Sequence, residues 1–118
     1  MTKTLNKFQL DGLLTDDELR RRLEGRPAPR VKRDDIIDRI EIVTFEQIET
    51  ATLCTIKLDN GYSVRGEAAC VNKENFDEDI GARYSFDDAF KKLWPLFGFL
   101  LQKRNFKLRR ENENDTAI

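Results

Sequence analysis

The sequence predicts an α+β fold: a small antiparallel β-sheet followed by a long C-terminal helix broken at a proline. Three observations predict it. Two runs rich in alternating apolar and β-branched residues, A51-T-L-C-T-I-K-L58 and Y62-S-V-R-G-E-A-A-C-V71, flank D59-N-G61, which is a hairpin signal. From Ile80 to Phe97 large apolar residues recur at helical spacing. Pro95 falls inside that run, where a missing backbone donor kinks or divides a helix.

The elements follow in order. T15-D-D-E18 is a capping box ahead of L-R-R-R-L, so a short helix is expected from Asp16 to Glu24. G25-R-P-A-P-R30 ends it and reads as a linker. Its basic residues read as a solvated face or a functional arm. V31-K-R-D-D-I-I-D-R-I40 places Ile36, Ile37 and Ile40 at helical spacing. E41-I-V-T-F-E-Q-I48 is the first strand, joined by Glu49-Thr50 to A51–L58. The chain thus divides into an arm, short helix and linker (1–30), an α+β domain (31–104) and a polar tail (105–118) expected to fray.

The register of the hairpin follows from its pattern. A two-residue Asn60-Gly61 loop sets Ile56 beside Arg65 and Cys54 beside Glu67. A three-residue loop, with Gly61 left-handed in a bulge, pairs Leu58 with Tyr62, Ile56 with Val64 and Cys54 with Gly66. Only the second keeps one face apolar, and a one-residue slip inverts every side chain. Arg65 and Glu67 then share the polar face. Cys54 and Cys70 share the apolar one and are expected to be reduced and buried.

After the strand, V71-N-K-E-N-F76 hands over to a helix. Asn75 with Glu78 forms a capping pattern. Ile80, Tyr84, Phe86, Phe90, Leu93, Trp94 and Phe97 make one broad stripe, with a possible break near Arg83–Ser85. One short sheet cannot cover L96-F-G-F-L-L101 as well, so a homo-oligomer is expected.

Composition excludes several functions. The chain has 118 residues, 21 basic and 22 acidic, with a net charge of −1, so a duplex-DNA binder is disfavoured. No apolar run reaches the roughly 20 residues of a membrane span, and a cytoplasmic setting is expected. Histidine is absent, which removes Ser-His and Cys-His nucleophile pairs and His-ligated zinc within one chain. No metal or cofactor is expected, and no catalytic residue is assigned.

L58-D-N-G-Y-S-V-R-G-E-A-A-C-V71, E74-N-F-D-E-D-I-G81 and A89-F-K-K-L-W-P-L-F-G-F-L-L101 resemble a small phage protein family named after gene 49 of one podovirus and gene 66 of a Shigella phage. Its pattern runs NGF-x-V-x-G, E-S-A-C-V, N-F, then A-x-x-K-x-W-P-L-x-G-Y-x-L. This chain has Tyr62, Ala68 and Phe99 where the pattern has Phe, Ser and Tyr, changes that keep aromatic or small character. The sequence is also similar to the first type of Thoeris anti-defence protein. The resemblance implies a non-enzymatic phage protein acting in the host cytoplasm. It would assemble as a dimer-based multimer such as a hexamer, and would hold cyclic ADP-ribose isomers or cyclic oligonucleotides without cleaving them.

The residues themselves suit a nucleotide ligand. Arg65, Lys73, Arg83 and Lys92 offer phosphate contacts, Tyr62 and Phe76 aromatic faces, and Asn72 and Asn75 amides for base edges. Each also has a plainer role. Phe76 suits a loop anchor, Asn75 a cap, Arg65 a partner for Glu67, and Tyr62 the apolar sheet face. Trp94 suits the core or a subunit interface. The alternative function is an oligomeric phage module that grips a host protein, with residues 1–30 as its arm.

Overall fold

The computed structural model describes residues 3–116, with side chains to Glu113. Four helices, α1 (Asp16–Glu24), α2 (Arg33–Ile37), α3 (Glu78–Phe90) and α4 (Leu93–Thr116), accompany three strands, β1 (Ile40–Ile48), β2 (Ala51–Leu58) and β3 (Ser63–Ala69). Short 3-10 turns occupy Lys7–Gly12 and Lys73–Asn75. The strands form one antiparallel meander in the order β1-β2-β3.

The hairpin adopts the register that its apolar parity favours. Cys54 faces Gly66, Thr55 faces Arg65 and Ile56 faces Val64. Gly61 has φ 90°, the left-handed region that glycine enters without cost, and the Leu58 N–H donates to the Tyr62 carbonyl at 2.8 Å. Cys54, Ile56, Leu58 and Val64 are consequently buried on one face. The other face carries Lys57, Arg65 and Glu67, all exposed.

α3 packs on β2 and β3. It approaches β3 closely because Gly66 lies beneath Ser85 and Ala89. A Cβ at Gly66 would sit far inside van der Waals contact of the Ala89 nitrogen and the Ser85 carbonyl oxygen, and 2.8 Å from Ala89 Cα. The face that α3 buries is accordingly small, Ser85 and Ala89, with Phe90 at its end. The broad aromatic stripe is therefore split. Phe90, Leu93 and Phe97 join the core with Ile36, whereas Ile80 and Tyr84 are 53% and 64% exposed on the far side of α3.

α3 is continuous through Arg83–Ser85, and the break comes at Lys91–Lys92 instead. Pro95 is the third residue of α4, where its missing N–H needs no intrahelical acceptor. Its ring would clash with the Lys91 carbonyl in an unbroken helix, so the interruption falls one turn upstream of the proline. α2 docks through Ile36, fully buried, and Arg33 lies 5.2 Å over the Phe90 ring. Arg39 Nε donates to Asp59 at 2.8 and 3.0 Å, closing this end of the sheet. That ion pair holds the Asp59 carboxyl below its ordinary value.

Three further expectations are corrected. The cap of α3 is Asp77, whose carboxylate accepts from the Asp79 N–H at 2.9 Å, whereas Asn75 is wound into the preceding 3-10 turn. The polar segment 105–116 continues α4 rather than fraying; it is rich in helix formers, with Lys107 and Glu111, and Arg109 and Glu113, one turn apart. Residues 117–118 lie outside the described residues.

Cys70 is only half-buried, since it follows the last residue of β3; its thiol donates to the Asn72 carbonyl at 3.0 Å. Cys54 is fully buried, and desolvation pushes its thiol pKa up. Both are free. Thiol labelling of the native protein is therefore expected in two phases, with Cys70 first and Cys54 only on opening of the fold. Equal rates at both would contradict this core.

The chain is elongated. Its radius of gyration is 19.7 Å, against about 13.5 Å for a compact chain of this length. α4 and the N-terminal arm both project. Phe99 and Phe106 on α4 are 66% and 52% exposed, and Phe8 on the arm is 81% exposed.

Candidate functional site

The sequence-derived candidates fall into separate places within one chain. Tyr62, Arg65 and Lys92 lie toward the hairpin end of β3. Asn72, Asn75 and Phe76 lie beyond its other end. The seven residues of β3, roughly 23 Å of strand, lie between Tyr62 and the second group, and four of them lie between Arg65 and that group.

At the hairpin end the backbone edge of β3 is clasped by the end of α3. The Lys92 ammonium donates to the Arg65 carbonyl oxygen, and the Glu67 N–H donates to Asp88 Oδ2 at 2.9 Å. Lys91 pairs with Asp88 at 2.9 Å. The Lys91 contact first, then the Glu67 amide, holds the Asp88 carboxyl below its ordinary value. The clasp satisfies outward backbone groups that an edge strand otherwise presents to another chain. Lys92 is thus partly engaged, though an ammonium keeps two more donors. Arg65 points its guanidinium from the open sheet face and, among the described residues, has no ion-pair partner; Glu67 does not supply one. Tyr62, 52% exposed, closes the hairpin loop opposite Leu58.

At the other end the loop is tightly wound. The Asn75 N–H donates to the Asn72 carbonyl at 2.9 Å, and the Phe76 N–H to the Lys73 carbonyl at 3.2 Å. Phe76 is half-buried, and Asn72, Lys73 and Asn75 are exposed. Arg83 belongs to neither group. It pairs with Asp87 one turn along α3, at 3.0 Å, beside a small crevice of ≈ 320 Å³ shared with Asp79, Ile80 and Tyr84.

A larger concavity than this crevice was missed by sequence reasoning. A cleft of ≈ 960 Å³ lies between the linker after α1, α2 and the first half of α4. Leu23, Phe97, Leu100 and Leu101 contribute apolar walls, and Arg26, Arg30, Lys32 and Arg104 contribute cations. The signal was the basic, proline-punctuated run R26-P-A-P-R30, which reads as a linker until α4 is placed against it.

A meander crossed by one closely packed helix, with a second helix leaving at a proline-set break, defines a small α+β domain with a projecting arm. Residues 29–105 match the family described as Phage protein (N4 Gp49/phage Sf6 gene 66), and the chain belongs to that family. Comparison with curated proteins and with solved structures finds no match. Among the described residues, no helix is long and apolar enough to cross a membrane, and no group of three or more His, Cys, Asp or Glu could hold a metal ion.

Proposed function

We propose that this phage protein is a non-enzymatic anti-defence protein that binds and sequesters cyclic nucleotide immune signals in the host cytoplasm. Membership of a phage family supports the setting. The observation that carries the ligand class is the unpaired Arg65, whose backbone carbonyl holds the Lys92 ammonium, with Tyr62 at the same end of the sheet on the opposite face. Two cations and an aromatic ring suit a phosphate and a base. Asn72, Asn75 and Phe76 lie beyond the far end of β3, and Arg83 is paired with Asp87, so none of them is gathered with this group within one chain. A second copy completes the site in this reading, and the exposed apolar residues of α4 supply the contact between copies.

Arg65→Ala is the cleanest variant, because the side chain is exposed and supports nothing else in the chain. A charge-assisted phosphate contact contributes about 1.5–3 kcal/mol, so the variant is expected to bind roughly ten- to hundredfold more weakly. Calorimetric titration with a cyclic ADP-ribose isomer and a cyclic trinucleotide reads this, and mass spectrometry of heat-released ligand reads whether it stays intact. Sedimentation of the wild type reads the assembly. Wild-type protein that binds neither ligand would remove the reading, and recovery of altered nucleotide would replace sequestration by catalysis.

One observation favours a second reading, an oligomeric module that grips a host protein. The arm exposes Phe8, Leu10, Leu13, Leu14, Leu19 and Leu23, and residues 1–28 lie outside the family match.

A further inference from the structure

We propose that the cleft between the linker and α4 is a second binding site, one that takes a soluble organic diphosphate with a planar or apolar body. Four cations, Arg26, Arg30, Lys32 and Arg104, line it, and among the described residues none has an ion-pair partner. Arg39 is paired with Asp59, and Asp35 accepts the Lys32 N–H at 2.8 Å. Glu24, Asp35 and Asp38 are the carboxylates of the lining, three against the four.

Cations outnumber carboxylates around this concavity and none of the four is held in an ion pair, so a ligand with two negative charges can pair with them directly. Guanidinium forks suit phosphate oxygens, and their planes also stack on rings. The apolar walls need a ligand that is more than an inorganic ion. Half-exposed Leu100 lies beside Leu101 and the core residue Phe97. At ≈ 960 Å³ the cleft falls within the range of small-molecule sites, about 300–1,000 Å³. Pro27 and Pro29 restrict the linker, so less freedom is lost when a ligand orders it. This site shares no residue with the Arg65 group and stands or falls apart from it.

The test uses the full chain with ADP, adenosine and pyrophosphate as probes. ADP is expected to bind, and each fragment to bind at least about tenfold more weakly, because each meets only half of the cleft. The double variant Arg30→Ala/Arg104→Ala is expected to lose about tenfold or more in ADP affinity while Arg65→Ala keeps it. Amide spectra of the wild type under ADP provide a readout that needs no variant. Shifts concentrated in residues 26–32 and 97–104 support the site. Wild type that ignores millimolar ADP, a folded double variant that binds as well as wild type, or shifts confined to residues 62–92 would each overturn it. The cyclic ADP-ribose titration of Arg65→Ala reports separately on the proposed function.

Discussion

Gly66→Ala is expected to destabilise the protein by about 3 kcal/mol or more, the largest effect of any single added methyl in this fold. The added carbon meets backbone rather than side chain: the Ala89 nitrogen and Cα, and the Ser85 carbonyl. Hydrogen-bonded helix backbone cannot rotate aside, so α3 must lift from β3. Lifting it exposes Ser85 and Ala89, and strains the clasp formed by Asp88 and Lys92. Gly81→Ala is the internal comparison. Its new methyl meets a single side chain, Thr52, rather than helix backbone, so a smaller loss is expected. Urea unfolding of the three proteins checks this. A Gly66→Ala midpoint equal to wild type would mean that α3 does not sit where the structure puts it.

Leu93→Ala is expected to cost about 3 kcal/mol, within the 2–5 kcal/mol range for a buried leucine. Leu93 is the first residue of α4 and is fully inaccessible, grouped in the core with Ile36, Phe90 and Phe97. The cavity would open where α2, α3 and α4 meet, at a helix start that cannot easily collapse around it because Lys92 and Pro95 fix both sides. Phe99→Ala removes a larger side chain that is 66% exposed, and is expected to change the unfolding of an isolated chain by no more than about 0.5 kcal/mol. A drop in sedimentation coefficient for Phe99→Ala, with the fold intact, would show that this ring packs between copies. Equal stability losses for the two variants would contradict the assigned core.

The hairpin was legible because it has a two-fold pattern and one side to bury. Parity alone chose between two loops, and Gly61 and the Cys54, Ile56 and Val64 pairings agree with that choice. α3 was harder to read. A search for large apolar residues finds Ile80 and Tyr84, yet the buried positions are Ser85 and Ala89, because Gly66 brings the two backbones together. Small residues on a helix carry no periodic signal unless the glycine opposite is known. The start of α3 was misplaced by two residues because Asn75 and Asp77 are both good caps, and only the 3-10 turn over Lys73–Asn75 separates them. Tyr62 and the candidates Asn72, Asn75 and Phe76 share one stretch of sequence but sit at opposite ends of β3, since a strand keeps its ends apart. The cleft was invisible for the opposite reason. Its walls are some seventy residues apart along the chain and meet only when the linker lies against α4.

The break at Lys91–Lys92 gives this protein an angular gear. A helix advances about 100° per residue, so the number of residues between Phe90 and Leu93 sets which way every side chain of α4 faces. Deleting Lys91 would keep composition almost unchanged and yet swing Phe99 and Phe106 around the helix by more than a quarter turn, unless Leu93 left the core to compensate. Length at this joint, rather than the identity of the two lysines, is therefore the quantity the fold must hold constant for the outer helix to point the same way in every copy.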